Sequence, residues 1–347
     1  MGDENITEAE AALYDRQIRL WGLDAQKRLR AAKVLLIGLK GLGAEVAKNI
    51  VLSGIKSLTL LDHTQVDEED KLSQFLIPRA DIGKNRAVSS LERTQLLNPM
   101  VNVTADTDDV ADKNDDFFQQ YDVICATCCP SSILCKINNI CSENNIKYFA
   151  GDVFGYYGYM FSDLGKHEFA EEVPKMNQKQ ESSQQDEECG DGEPAPKKIK
   201  KDEKETVVVK KEEIFSRLQS ALDVDWSTTE IKTKIKRTPT AHFITLAIFD
   251  FMEKNKRRPQ LSTSEEDSKQ LLECRKMIIE KNQLEDKYLL ENFIEHCFAE
   301  LSPVCAIVGG VLGQEIIKAV SQKDAPHNNF FFYNGVEGTG MVDKIGN

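Results

Sequence analysis

A nucleotide-binding loop is nearly complete just after an apolar strand, but it carries a lysine where a phosphate would lie. The pattern G-x-G-x-x-G uses its first glycine for a tight turn, its second for close backbone approach to a pyrophosphate, and its third for helix packing. Gly38 and Gly43 hold the outer positions with Gly41 between them, whereas Lys40 holds the middle one. A side chain there crowds the phosphate surface, although an ammonium group can bind phosphate as a point charge. We therefore predict a loop that keeps its architecture and has lost its chemistry.

A carboxylate follows the next strand of the chain. Asp62 lies about 20 residues beyond the loop, where an acidic side chain bonds a ribose hydroxyl in dinucleotide-binding folds. The same residue can instead cap the loop that follows its strand, and we favour this role because Lys40 impairs the phosphate site. A nicotinamide-dependent oxidoreductase is an alternative that Asp62 and the glycine loop support. Lys40 and the lack of a hydride-transfer motif count against it.

The cysteines and histidines show no pattern typical of a metal site. Cys125 and Cys128 form a single C-x-x-C with Cys129 beside it, and the chain has no second pair at zinc-ribbon spacing. We interpret them as small apolar residues near a strand end. The five histidines show no pairing suited to metal binding or acid–base work, so we expect structural roles for them.

Composition narrows the classes of partner. The net charge of −13 repels a phosphate backbone, so we expect no nucleic-acid partner. We found no apolar run of membrane-spanning length and expect no membrane partner. The acidic start Met1–Asn5 lacks a secretion signal, so the nine cysteines are expected to be reduced thiols. A protein partner fits this chain best.

Alternating apolar runs indicate the fold. Val34–Ile37 is a strand, followed by the loop and a helix that ends near Gly54. Further strands are expected at 58–61, 101–103, 122–125 and 146–149, with an antiparallel strand or hairpin at 155–161. Strands that alternate with helices predict an α/β, doubly wound and mostly parallel sheet.

An amphipathic helix precedes the first strand. Thr7 and Glu10 match a capping box, and Tyr14, Ile18 and Trp21 recur along one face. Arg16 lies off that face.

Composition also divides the chain. We expect residues 1–170 to form the first part of the α/β domain and 171–213 a disordered charged insertion. Residues 214–300 are expected to form a helical insert. Residues 301–347 return to the domain, with a buried helix from Pro303 to Val320 and a last strand at 330–333. The basic cluster Pro196–Lys201 is a nuclear-import signal or a solvated charge run, and we favour import to the nucleus.

Taken together, these segments resemble the Rossmann-like adenylation domains of ubiquitin-like-activating enzymes of the ThiF-like superfamily. Within that family they are most similar to the small, regulatory subunits of SUMO-activating enzymes. The matching segments are Tyr14–Gly22, Gly38–Glu45, Gly151–Gly158, Pro303–Lys318 and His327–Phe332. The likeness spans the chain except its charged insertion. The Tyr-Asp-Arg-Gln block is shared with regulatory subunits of the NEDD8 pathway, which is therefore an alternative.

The resemblance also implies that this chain's own site is inactive. Catalytic relatives have a G-x-G-G-x-G loop, an Asn-Arg-Gln-Phe motif and an aspartate that helps to hold magnesium. This chain has Lys40 in the loop, Leu72–Phe75 without the arginine, and Thr127–Cys129 in place of the carboxylate. Sulfur is a poor ligand for Mg²⁺. ATP and Mg are therefore expected to be bound mainly by a partner, and a stand-alone adenylating enzyme is disfavoured.

Arg16 is the residue through which the resemblance implies a contribution to catalysis. The corresponding arginine of the family enters the ATP site of the large catalytic subunit, where a guanidinium can bind phosphate oxygens. An ordinary exposed helix arginine is the alternative. The implied function is a partner subunit that supports adenylation of the SUMO C-terminal glycine, with the thioester formed on the large subunit of the SUMO-activating enzyme.

Overall fold

An eight-stranded sheet forms the centre of the computed structural model, which describes residues 7–174 and 206–346. Its strand order is β10-β9-β6-β5-β4-β1-β2-β3, and a separate ribbon pairs β7 with β8. The strands are β1 Lys33–Ile37, β2 Ser57–Leu61, β3 Asn102–Asp106, β4 Val123–Thr127, β5 Lys147–Phe154, β6 Tyr157–Asp163, β7 Lys166–Pro174, β8 Thr206–Ile214, β9 Phe330–Asn334 and β10 Thr339–Asp343. Strands β1 to β5 pair in parallel, and β6, β9 and β10 extend the sheet antiparallel. The predicted doubly wound, mostly parallel sheet is confirmed.

Helices cover both faces of the sheet. The α-helices are α1 Glu8–Leu13, α2 Asp15–Trp21, α3 Leu23–Ala31, α4 Gly41–Leu52, α5 Asp70–Ser73, α6 Arg86–Leu97, α7 Asp115–Phe118, α8 Ser131–Glu143, α9 Leu218–Leu222, α10 Thr229–Ile235, α11 Thr240–Asn255, α12 Ser264–Asn282 and α13 Ser302–Ser321. Short 3₁₀ helices span Arg79–Asp81, Val110–Asp112, Leu261–Thr263, Asp286–Tyr288 and Glu291–His296. Side chains of β1 alternate between the two cores: Val34 and Leu36 pack with α4 and α13, while Leu35 and Ile37 pack with α8 and α11. Burial on both faces explains why β1 is continuously apolar.

Helix α13 corrects one expectation from the sequence. We expected no run of membrane-spanning length, but its 20 residues are long and apolar enough to cross a bilayer. In the structure, 67% of that apolar window is buried inside the protein. Helix α13 packs against the sheet, α3 and α4, so it is apolar on most sides.

The N-terminal helix is divided. The predicted capping box is confirmed, since Glu10 N–H donates to Thr7 Oγ1 and Thr7 N–H donates to Glu10 Oε2. Helix α1 ends before Tyr14, whose φ of −100° and ψ of 15° separate it from α2. Tyr14 is buried and its hydroxyl accepts a hydrogen bond from Asn98, whereas Ile18 and Trp21 are half-buried.

The predicted disordered segment at 171–213 is wrong at both of its ends. Strands β7 and β8 form an antiparallel ribbon in which Glu171 lies opposite Val209. An ion pair of 2.6 Å between Lys211 and Glu171 crosses the ribbon, and Ala170 N–H donates to Gln322 O. Cross-strand pairing of opposite charges stabilises a polar ribbon that looks unstructured by composition. The basic cluster at 196–201 and the rest of 175–205 lie outside the described residues.

Candidate functional site

A pocket of about 490 Å³ opens at the carboxyl ends of β1, β2 and β4. We call it the loop pocket, because the glycine loop forms its floor. Ligands of open α/β sheets bind at this edge. Its polar lining includes Lys40, Asp62, Asp67, Asp70, Arg86, Cys128, Arg258 and Glu300.

The outer glycines of the loop are required by its geometry. Gly38 has a φ of +81°, and a Cβ built on it would lie 2.4 Å from the Thr127 carbonyl oxygen. A Cβ on Gly43 would lie 2.1 Å from the Gly38 carbonyl oxygen, and one on Gly41 would lie 2.3 Å from Ser73 Oγ. These glycines let strand, helix and loop approach one another closely.

Lys40 precedes α4 with an ordinary φ of −68°, so its position does not need a glycine conformation. Its Nζ lies 3.2 Å from Asp67 Oδ2 and 3.9 Å from Asp70 Oδ1. Burial raises the pKa of Asp67, but the charge of Lys40, the hydrogen bonds from Asp70 N–H and Lys40, and the charge of Arg86 together outweigh burial and leave that pKa lowered. The ammonium group is thus held by carboxylates of its own chain, at a helix N-terminus that would otherwise attract an anion.

Asp62 is buried and both of its carboxylate oxygens are engaged. Oδ2 accepts from Leu39 N–H at 2.9 Å, and Oδ1 accepts from Thr64 N–H at 2.9 Å and from the Thr64 hydroxyl. Arg86 Nη1 also donates to Oδ2 at 3.4 Å. This is the geometry of a loop cap, the role that we favoured over a ribose ligand.

Arg86 was missed by sequence reasoning. It is buried at the start of α6, and its Nη2 donates to Asp70 Oδ2 at 2.9 Å and to the Gln65 carbonyl at 2.9 Å. Burial lowers the pKa of a guanidinium, but Asp62 and Asp70 reverse that effect and raise it. A basic residue at a helix N-terminus is unfavourable unless acidic residues surround it. An arginine at the start of α6 was therefore the sequence signal for acidic partners.

Arg258, Asp152 and Glu300 form a second buried cluster of charged side chains at the pocket. The guanidinium of Arg258 donates to Asp152 Oδ1 and to the Val153 carbonyl, and its Nη2 lies 3.4 Å from Glu300 Oε1. Its Nη1 lies 3.3 Å from Cys128 Sγ. Burial raises the pKa of Asp152 to about 6 despite Arg258. Sequence reasoning missed both carboxylates. A charged residue inside an apolar strand could have revealed Asp152, whereas no local pattern pointed to Glu300.

These residues do not fit a magnesium site. Cys128, Asp152 and Glu300 are the one group of possible metal ligands found within the described ranges 7–174 and 206–346, with ligand atoms within 4.8 Å of one another. Mg²⁺ prefers oxygen ligands in octahedral geometry, and a thiol does not suit it. The Arg258 guanidinium already lies among these three side chains, where a metal ion would have to bind.

Arg16 lies apart from the loop pocket. It is exposed on α2 and is not among the pocket-lining residues. Within the described part of the chain it has no hydrogen bond or ion pair, whereas Arg19 on the same helix pairs with Asp15 at 3.1 Å. Gln17 ties this helix to α4 by donating to the Leu52 carbonyl. Within the described residues, Arg16 therefore has an exposed guanidinium without a partner, on a helix that Gln17 ties to α4.

The fold and pocket define a protein of the adenylation-domain type, and comparison with known proteins agrees. The ThiF family matches residues 14–345, and the chain belongs to this family. It is similar over 98% of its length to proteins called SUMO-activating enzyme subunit 1, at 52% identity in Xenopus tropicalis and 50% in Homo sapiens. The alignments cover 97% and 96% of those relatives, respectively. The resemblance to this group is confirmed.

A solved structure shares the fold. The crystal structure of E. coli MccB with succinimide superposes with a TM-score of 0.53 at 13% identity, and the match covers 99% of this chain and 73% of that one. At this identity the likeness concerns the fold alone. It is consistent with a mostly parallel sheet flanked by helices.

Proposed function

We propose that this chain is the non-catalytic partner subunit of a heterodimeric SUMO-activating enzyme. The observation that carries the proposal is identity of about 50% with proteins of that subunit name over nearly the whole of both chains. In this role it pairs with the large catalytic subunit and supports ATP-dependent adenylation of the SUMO C-terminal glycine. The thioester then forms on the large subunit's cysteine.

The charges of the loop pocket support an inactive site in this chain. Lys40, Arg86 and Arg258 are paired with internal carboxylates and are not available for phosphate. Asp67 and Asp70 lie beside Lys40, where a triphosphate would meet like charge. We therefore propose that ATP and Mg²⁺ are bound mainly by the partner subunit.

Arg16 is the residue that we propose acts on the partner's ATP site. Its side chain is exposed and unpaired within the described residues, while its helix is fixed to α4. A permanently charged, forked donor can offset charge on a triphosphate during adenylation. Asp62 has both oxygens engaged, which counts against the alternative of a nicotinamide-dependent oxidoreductase.

The experiment that tests this function is ATP–pyrophosphate exchange. The pure full-length chain is assayed with SUMO alone, the large subunit is assayed with SUMO alone, and the two are then combined. We expect exchange only from the combination. Exchange by this chain alone would contradict the proposal, and replacing SUMO with NEDD8 separates the two pathways.

Nuclear localisation stays a prediction. It rests on Lys197, Lys198, Lys200 and Lys201 in the basic cluster. Imaging a tagged chain with all four replaced by alanine tests it, because an unchanged distribution would leave the cluster as solvated charge.

A further inference from the structure

We propose that Arg258 takes the place of a divalent cation in the loop pocket and keeps a latent metal site closed. This inference concerns the chain's own pocket and goes beyond the proposed function, because it does not depend on the partner subunit. It rests on the three potential ligands described above and on the guanidinium that lies among them.

The potential ligands form a compact set of acceptors. Ligand atoms of Cys128, Asp152 and Glu300 lie within 4.8 Å of one another. Asp152 and Glu300 are 2% and 6% exposed, so water cannot screen them freely. Two buried carboxylates side by side are unfavourable without a cation, because removal from water disfavours charge and like charges repel.

Arg258 supplies that cation from a distant part of the sequence. It follows α11 and reaches β5, a separation of 106 residues from Asp152. Its guanidinium carbon also lies 4.7 Å from the centre of the Phe154 ring, which holds the group in place from another side. The planar donors of Arg258 bind Asp152 and the Val153 carbonyl together, and thereby fasten the helical insert to the sheet.

The same acceptors suit a particular kind of metal once the guanidinium is removed. One thiol with two carboxylates is a mixed soft and hard ligand set that favours Zn²⁺ or Co²⁺ over Mg²⁺. A thiol must lose its proton when it binds a metal ion. Arg258 blocks this binding by charge and by volume.

Cobalt binding by the full-length chain tests the inference. Co²⁺ is added to wild type, to Arg258→Met, and to Lys256→Met, while the thiolate-to-cobalt absorbance in the near ultraviolet is recorded. Lys256→Met is the matched control. It removes one positive charge two residues away from Arg258, but Lys256 is exposed and pairs with Glu253. We expect the band only in Arg258→Met, with Co²⁺ bound on the order of tenfold or more tightly than by wild type.

Each result of the cobalt titration either supports or overturns the inference. A band in wild type, or no band in a folded Arg258→Met chain, overturns the inference. If circular dichroism shows that Arg258→Met does not fold, Arg258→Gln serves instead, because its amide retains donors for Asp152 and Val153 without the charge. Adding Cys128→Ser to either variant must abolish the band, and a band that persists places the metal elsewhere and overturns the inference. Adenylation is not measured, so failure here leaves the proposed function standing.

Discussion

Positive side chains of the loop pocket bind acids of the same chain. Lys40 binds Asp67, Arg86 binds Asp62 and Asp70, and Arg258 binds Asp152. Lys40 in the glycine loop is therefore one of several cations along the pocket wall that pair with carboxylates of the same chain. The pairs of Arg86 with Asp70 and of Arg258 with Asp152 are buried, so removal of one partner would leave an uncompensated charge.

The structural role of Gly38 in the loop can be tested by substitution. Gly38→Ala should destabilise the chain by about 1–3 kcal/mol or more, because the position has a left-handed φ and the added methyl group meets the Thr127 carbonyl. Gly310→Ala is the control: it lies within α13 with nothing within 4 Å of its added Cβ, and it should stabilise by roughly 0.5–1 kcal/mol. Urea unfolding measures both, and equal effects would contradict the architectural role of Gly38.

The sequence predicted the loop but only part of the pocket, for a physical reason. Gly38 and Gly43 act on neighbours within a short segment, so their spacing reveals their role. Arg258 and Glu300 act across the fold, and no local pattern links them to Asp152 or Cys128. Long-range ion pairs become visible only when the strands and the insert are brought together.

At the scale of elements, apolar periodicity carried most of the prediction. Strands β1, β4 and β5 are buried on both faces and β2 mainly on one, and all four stand out as apolar runs. The β7–β8 ribbon and the exposed strand β10 escaped notice, because their side chains are polar or solvent-facing and backbone pairing leaves no apolar pattern. The sequence pattern predicted α1 and α2 as one helix, because the break at Tyr14 lies in the backbone and leaves no mark on the apolar pattern.

Helix α8 offers an element-scale prediction through its acidic cap. Glu253 accepts from Ser132 N–H at 2.6 Å and from Ser131 Oγ at 2.9 Å. Burial raises its pKa, but the hydrogen bonds from Ser132 and its other partners outweigh this and lower it to about 2. Since the folded pKa lies below the ordinary 4.5, the cap stabilises the fold above pH 4.5 and that contribution is lost as pH falls towards 2.

Replacing Glu253 by glutamine should therefore weaken both stability and its pH dependence. We expect a loss of about 1 kcal/mol or less near neutral pH, since the group is partly exposed, and a shallower fall of the urea midpoint below pH 4.5 than in wild type. Glu143→Gln, at the opposite end of α8, is the control and should cost nothing. An unchanged pH profile for Glu253→Gln would rule out the cap.

At the scale of the whole molecule, Arg16 and the loop pocket lie in separate parts of the chain. Internal ion pairs line the loop pocket, while Arg16 is exposed on a helix outside that pocket. Within the described residues Arg16 has no partner, so its guanidinium is available to a site on another chain. We therefore propose that this chain contributes to adenylation through Arg16.

Pyrophosphate exchange by the purified heterodimer carrying Arg16→Ala tests that claim most directly. Arg19→Ala is the matched control, because it removes an exposed arginine from the same helix. Loss of a charge-assisted phosphate contact costs about 1.5–3 kcal/mol, so we expect the exchange rate to fall roughly tenfold to hundredfold with the heterodimer intact. Arg16→Lys should recover part of the rate, and Arg19→Ala should keep all of it. A wild-type rate for Arg16→Ala would contradict the account, and so would a variant that fails to assemble with the large subunit.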